Sequence, residues 1–231
     1  MAMSPFRWIN THHAWFRAGI FCISLAPAAY LFSRLLTDNL GFNPFETLIA
    51  TTGITALVFL CLTLAITPSR RWLSFAAIQL RLSYGKRLSD WNFLIRSRRM
   101  LGLYCFFYAC LHAGVYVYYE MDFAWSEIVI DIRERNFLSV GLLAWLVAFV
   151  LAITSPSVVQ RNMGIYWRKL HRGMYLLSVL AILHLYLEAK LLSAREWWFS
   201  AVIAILLGHR LLVMLVRQWR RQNDDGLVSQ R

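Results

Sequence analysis

Three histidines sit in stretches of otherwise apolar sequence: His112, His171 and His184. His171 and His184 share one stretch, Arg168 to His184, RKLHRGMYLLSVLAILH, thirteen residues apart, and His112 lies thirteen residues beyond Arg99 in another. If each stretch is a helix crossing a membrane, His112 and His184 lie at equal depth, about 20 Å from a basic boundary. An ionisable group at such depth costs a few kcal/mol and is a functional candidate by default. Ala109, Ala113 and Gly114 leave open space beside His112. Two neutral imidazoles facing each other at one depth can share one metal, and axial ligation of a haem iron is the chemistry this pattern serves. On a straight helix thirteen residues rotate a side chain by about 140°, so His171 and His184 cannot serve one iron. His171 therefore belongs to a second, inner site or to none. His209, beside Arg210, is the one spare histidine deep enough to complete such a site, although next to an arginine it is expected to reach for the headgroups. His12 and His13 lie outside the apolar stretches.

The elements that must position these groups follow from composition. The chain has 231 residues, 59% hydrophobic and 16% charged, and the apolar residues come in blocks, which describes an integral membrane protein rather than a soluble domain. Six blocks are long enough to cross a bilayer of about 30 Å, at 18–36, 47–67, 100–119, 137–155, 171–189 and 197–216. The expected architecture is all-α: a six-helix transmembrane bundle over 18–216, preceded by a cytoplasmic lead over 1–17 and followed by a polar cytoplasmic tail over 217–231.

The net charge of +12 does not indicate nucleic-acid binding. Residues 1–17, 67–99, 155–172 and 217–231 hold 18 Lys and Arg against three acids, whereas 37–46, 120–136 and 188–196 hold four against nine. The sign alternates with every apolar block. That is the positive-inside pattern, which puts both termini in the cytoplasm, and a nucleic-acid surface would not change sides in this way.

Other features read as structural. Cys22, Cys61, Cys105 and Cys110 all fall within spans and form no Cys-x-x-Cys pair, so they read as reduced packing residues. Thr51, Thr52 and Gly53 permit close helix contact, with room for a flat cofactor as the sharper alternative. Gly141 marks another close-packing point. The 67–99 connection, mixing aromatics with eight basic residues, suits a segment lying among headgroups. A transporter, or an assembly scaffold whose histidines are only polar glue, is the alternative of a different class; the paired repeats with broken helices common in transporters are not evident.

Three segments carry a resemblance. Asn43-Pro-x-Glu-x-Leu with Thr52-Gly53-x-x-Ala56-Leu57, Arg98-Arg99-x-Leu-Gly102-Leu with Tyr108-Ala109-x-Leu-His112, and Trp167-x-x-Leu-His171-Arg-x-x-Tyr175 with Leu183-His184 are similar to the MsrQ (YedZ) family. These are the haem-binding membrane subunits of the bacterial MsrPQ methionine sulfoxide reductase system, within the ferric-reductase-like transmembrane superfamily. The resemblance implies an inner-membrane b-type cytochrome. It would pass electrons from the quinone pool or a cytosolic flavin reductase to a periplasmic molybdenum partner, MsrP, which reduces methionine sulfoxide. It also implies FMN, for which no motif marks a site. His112, His171 and His184 match the family's haem-associated histidines one for one. Where the superfamily carries a fourth histidine, this chain has Arg99, which bears on whether a second haem is held. The family's Arg-Pro-Tyr ahead of the fourth span reads Arg135-Asn136-Phe137 here. A haem subunit for another periplasmic oxidoreductase is the alternative within the same class.

Overall fold

The computed structural model describes residue 9, residues 12–189 and residues 193–228. Of the lead expected over 1–17, only Ile9 and residues 12–17 fall within these, and the side chains of His13, Arg217 and residues 220–228 lie outside them. Among the described residues there is no strand. The helices are α1 (His13–Leu36), α2 (Pro44–Gln79), α3 (Asn92–Val115), α4 (Trp125–Glu134), α5 (Asn136–Ile153), α6 (Ser157–Met163), α7 (Ile165–Leu170), α8 (Gly173–Glu188) and α9 (Ala194–Val228). A single 3-10 turn, Leu88–Trp91, precedes α3, and a π turn, Tyr116–Glu120, follows it.

Among the described residues, six segments are long and apolar enough to cross a membrane: Ala14–Leu36, Pro44–Gln79, Leu88–Glu120, Asn136–Ile153, Ile165–Glu188 and Ala194–Val216. Their outward faces carry large apolar side chains such as Phe32, Leu142, Leu143 and Ile205, which only a lipid surround leaves without penalty. The heaviest packing joins α2 to α3 and α5 to α8. Each pair is an antiparallel hairpin, and the two meet through α3 and α5 around a core that includes Leu60, Leu64, Tyr108, Ala148, Leu177 and Leu180.

Several expected boundaries move. The 67–99 segment is not one connection: α2 continues through Pro68 to Gln79, α3 begins at Asn92, and only 80–91 turns. Arg70 donates to the Leu88 carbonyl at 2.7 Å and to Asn92 at 2.8 Å, and Ser74 to the Lys86 carbonyl at 2.5 Å, so that turn is fastened back onto α2. The stretch from Arg168 to His184 is not one helix either, because the chain turns at His171 and Arg172 between α7 and α8. The last helix runs on to Val228 rather than ending near 216.

Two prolines lie inside the helices, and beside each a side chain from elsewhere bonds to the helix backbone. Pro68 has no N–H for the carbonyl of Leu64, and Arg210 of α9 donates to that carbonyl at 2.8 Å. Near Pro27 in α1, the Tyr108 hydroxyl enters the backbone ladder, accepting from the Ala28 N–H at 3.1 Å and donating to the Ser24 carbonyl at 2.7 Å. In lipid a freed backbone group has no water to turn to, so these substitutes are required.

Candidate haem site

The first residues to place are the glycines and carbonyls that decide where the imidazoles can go. On α2, Ile49 and Gly53 are four apart and share a face. The Nδ1–H of His112, on α3, donates to the Ile49 carbonyl at 2.9 Å. A Cβ on Gly53 would come within 3.0 Å of the His112 ring atoms Cε1 and Nδ1. Gly53 thus makes room for the imidazole itself, and the Thr52 hydroxyl beside it lies 3.5 Å from His112 Nδ1.

The other hairpin repeats the arrangement. On α5, Phe137 and Gly141 are again four apart. The Nδ1–H of His184, on α8, donates to the Phe137 carbonyl at 2.8 Å, and a Cβ on Gly141 would stand 2.8 Å from the His184 ring. A carbonyl at one position and a glycine one turn later therefore fix one histidine in each half of the molecule. This twofold device is the repeat the sequence does not display.

The consequence is chemical. A carbonyl can only accept, so each Nδ1 carries the proton and each Nε2 keeps its lone pair, the tautomer a metal-ligating histidine needs. The two ring centroids stand 6.1 Å apart with their planes at 86°. Metal–nitrogen bonds of about 2 Å, plus roughly 1 Å from each nitrogen to its ring centre, would separate the centroids by about 6 Å. Among the described residues no group of three or more His, Cys, Asp or Glu is placed to hold a metal ion. A bare ion would have two ligands and little else. Haem iron brings four equatorial nitrogens of its own and asks the protein only for the axial pair, so these residues fit haem.

His171 stands apart from that pair. Its ring stacks on Trp167 at 3.9 Å, its Nδ1–H donates to the Trp167 carbonyl at 3.2 Å, and its Nε2 is buried without a partner. His209 packs edge-on against Trp72, 5.6 Å away, and its Nδ1 is buried and unpartnered. No ring contact joins His171 to His209 among the contacts described. Arg210, expected to accompany His209 toward the headgroups, bonds Tyr175 at 2.9 Å and the Leu64 carbonyl instead. Arg99 is exposed, beside a cleft of about 320 Å³ lined by Leu103, Ala152, Ser155, Pro156 and Ser157. His12 is exposed, and Cys22, Cys61, Cys105 and Cys110 are all free thiols.

Comparison with known proteins gives the arrangement its context. Residues 52–182, from beside Gly53 to two residues short of His184, match the ferric reductase like transmembrane component. Several curated relatives are named protein-methionine-sulfoxide reductase heme-binding subunit MsrQ. The one from Herminiimonas arsenicoxydans is 36% identical over 224 residues, covering 91% of this chain and 88% of that protein. The one from Azospira oryzae is 36% identical over 92% of this chain and 86% of its own length, and the one from Ralstonia nicotianae 37% identical over 84% of each. With the match covering more than half of the chain and the relatives aligned over most of their length, the chain belongs to the ferric-reductase-like transmembrane family and, within it, to the MsrQ heme-binding subunits.

Proposed function

We propose that this chain is a b-type cytochrome subunit that relays electrons across a bacterial inner membrane to a periplasmic methionine sulfoxide reductase, with His112 and His184 as the axial ligands of its haem. The observation that carries the reading is the pair of imidazoles with centroids 6.1 Å apart, each with Nδ1 committed to a backbone carbonyl and Nε2 left for a metal. The relatives' printed names support the haem and the methionine sulfoxide reductase system.

A haem bound here supplies one-electron redox chemistry, with iron alternating between ferric and ferrous. The chain does the rest. His112 and His184 would hold the group from its two sides, and with both sides taken oxygen and other small ligands would be kept out. Their Nδ1–H bonds hold the ring orientation in either oxidation state, which keeps reorganisation small. Substrate reduction belongs to the partner, a molybdenum enzyme of the MsrP kind. Electrons enter from the cytoplasmic side, from quinol or a cytosolic flavin reductase, and FMN completes the cofactor set that the resemblance implies. His171 is where a second haem would attach. The six-span unit over 18–216 is the working domain, with the lead over 1–17 and the tail over 217–231 both in the cytoplasm, as the charge alternation requires.

The test is reoxidation. Chemically reduced protein mixed with an MsrP-type reductase and methionine sulfoxide should return to the ferric spectrum, and each component alone should leave it reduced. Reduced haem that ignores this pair but is oxidised by another periplasmic oxidoreductase would move the protein to that enzyme instead.

A further inference from the structure

One buried carboxylate ties the two histidine hairpins together at the end of the bundle where α4 lies. Asp131, on α4, is 9% exposed. Its Oδ2 accepts the Tyr116 hydroxyl at 2.7 Å, and its Oδ1 faces the guanidinium Nε of Arg135 at 2.6 Å. Tyr116 is one helical turn beyond His112, where α3 passes into its π turn. Arg135 immediately precedes α5 and stands two residues before Phe137, whose carbonyl holds His184. Arg135 also lies 4.0 Å from Glu120, at the end of the π turn, and Ser139 of α5 donates to the Ile132 carbonyl of α4. The links run from the hairpin carrying His112, through α4, to the hairpin carrying His184.

A carboxylate this buried persists only when its lone pairs are used, and here each oxygen has a charged or hydroxylic partner. Within a hairpin, carbonyl and glycine orient one imidazole but leave its distance to the other undetermined. That distance depends on how α3 packs against α5 and on this connection. Metal–nitrogen bonds tolerate only tenths of an ångström, so a small separation of the hairpins matters where the rings meet.

We infer that Asp131, with Tyr116 and Arg135, is a positioning clamp that sets the spacing of His112 and His184 and so decides whether both imidazoles reach one iron. The inference rests on the haem reading above. Losing either leg loosens the end of α3 against the start of α5, even with the Glu120 contact kept, and lets one imidazole withdraw. The test compares wild type with Asp131→Asn, Tyr116→Phe, Arg135→Gln and the conservative Arg135→Lys, each purified with haem. The readouts are the spin state by electron paramagnetic resonance, the rate of haem transfer to an excess of apomyoglobin, and the thermal midpoint. D131N and Y116F should release haem at least about tenfold faster and show a high-spin fraction absent from wild type. Their double variant should be no worse than D131N, since both cut one link, and R135K should recover part of what R135Q loses. Wild-type spectra and release rates in D131N and Y116F would overturn the clamp, above all with a lowered thermal midpoint, because Asp131 would then stabilise the fold only. A wild type without haem would overturn the haem reading itself, a separate outcome read from the wild type alone.

Discussion

The site depends on what lies behind each imidazole as much as on the imidazole. Gly141 approaches the His184 ring so closely that an added Cβ would sit 2.8 Å from two ring atoms, and the corresponding distance for Gly53 and His112 is 3.0 Å. Neither ring can retreat without lengthening its Nδ1–H bond to Phe137 or Ile49. Gly141→Ala is therefore expected to lower bound haem several-fold and Gly53→Ala to do the same less severely, as read from haem per protein after purification. Gly114→Ala, where an added Cβ meets nothing within 4 Å, should leave haem content at the wild-type level. His112 and His184 were legible in the sequence because an ionisable residue deep in an apolar stretch stands out. Their carbonyl partners were not, since any residue supplies a carbonyl. Gly53 and Gly141 were legible only as packing points, because a glycine that admits a neighbouring helix and one that admits a ring look alike in sequence.

At the scale of the element, the proline breaks have consequences that can be measured. Arg210→Gln should leave the Leu64 carbonyl without its donor inside the membrane, at a cost of about 1–3 kcal/mol, seen as a lower thermal midpoint in detergent. Adding Pro68→Ala restores an N–H one turn along α2 and should recover most of that loss. Tyr108→Phe removes the hydroxyl between Ala28 and Ser24 and should destabilise the protein by a similar amount while α1 remains helical. The six spans were visible from apolar length, but their ends were not. Between 67 and 99 the arginines read as one long connection, whereas Arg70 and Ser74 fold a short turn back onto a helix that simply continues. The α4 helix was hidden for the opposite reason: in a loop rich in acids, the burial of Ile128 and Asp131 on one face becomes apparent only once α5 is there to receive it.

At the scale of the whole molecule, two hairpins each prepare one histidine and meet so that the rings face each other at 6.1 Å with nearly perpendicular planes. The sequence could show equal depth but not this orientation, which arises from the packing of four helices. Two imidazoles that bound one iron at this angle would donate into different d orbitals and leave those orbitals close in energy. The electron paramagnetic resonance spectrum of the ferric protein should accordingly show one strongly anisotropic low-spin signal; a rhombic signal of ordinary width would mean that the rings turn parallel once haem binds. The most direct measurement of the central claim is the visible absorption spectrum of the detergent-purified protein beside His112→Ala, His184→Ala and His171→Ala. Wild type should show a low-spin b-type spectrum, lost in either of the first two variants and changed less in the third. Four identical spectra, or a colourless wild type, would contradict it.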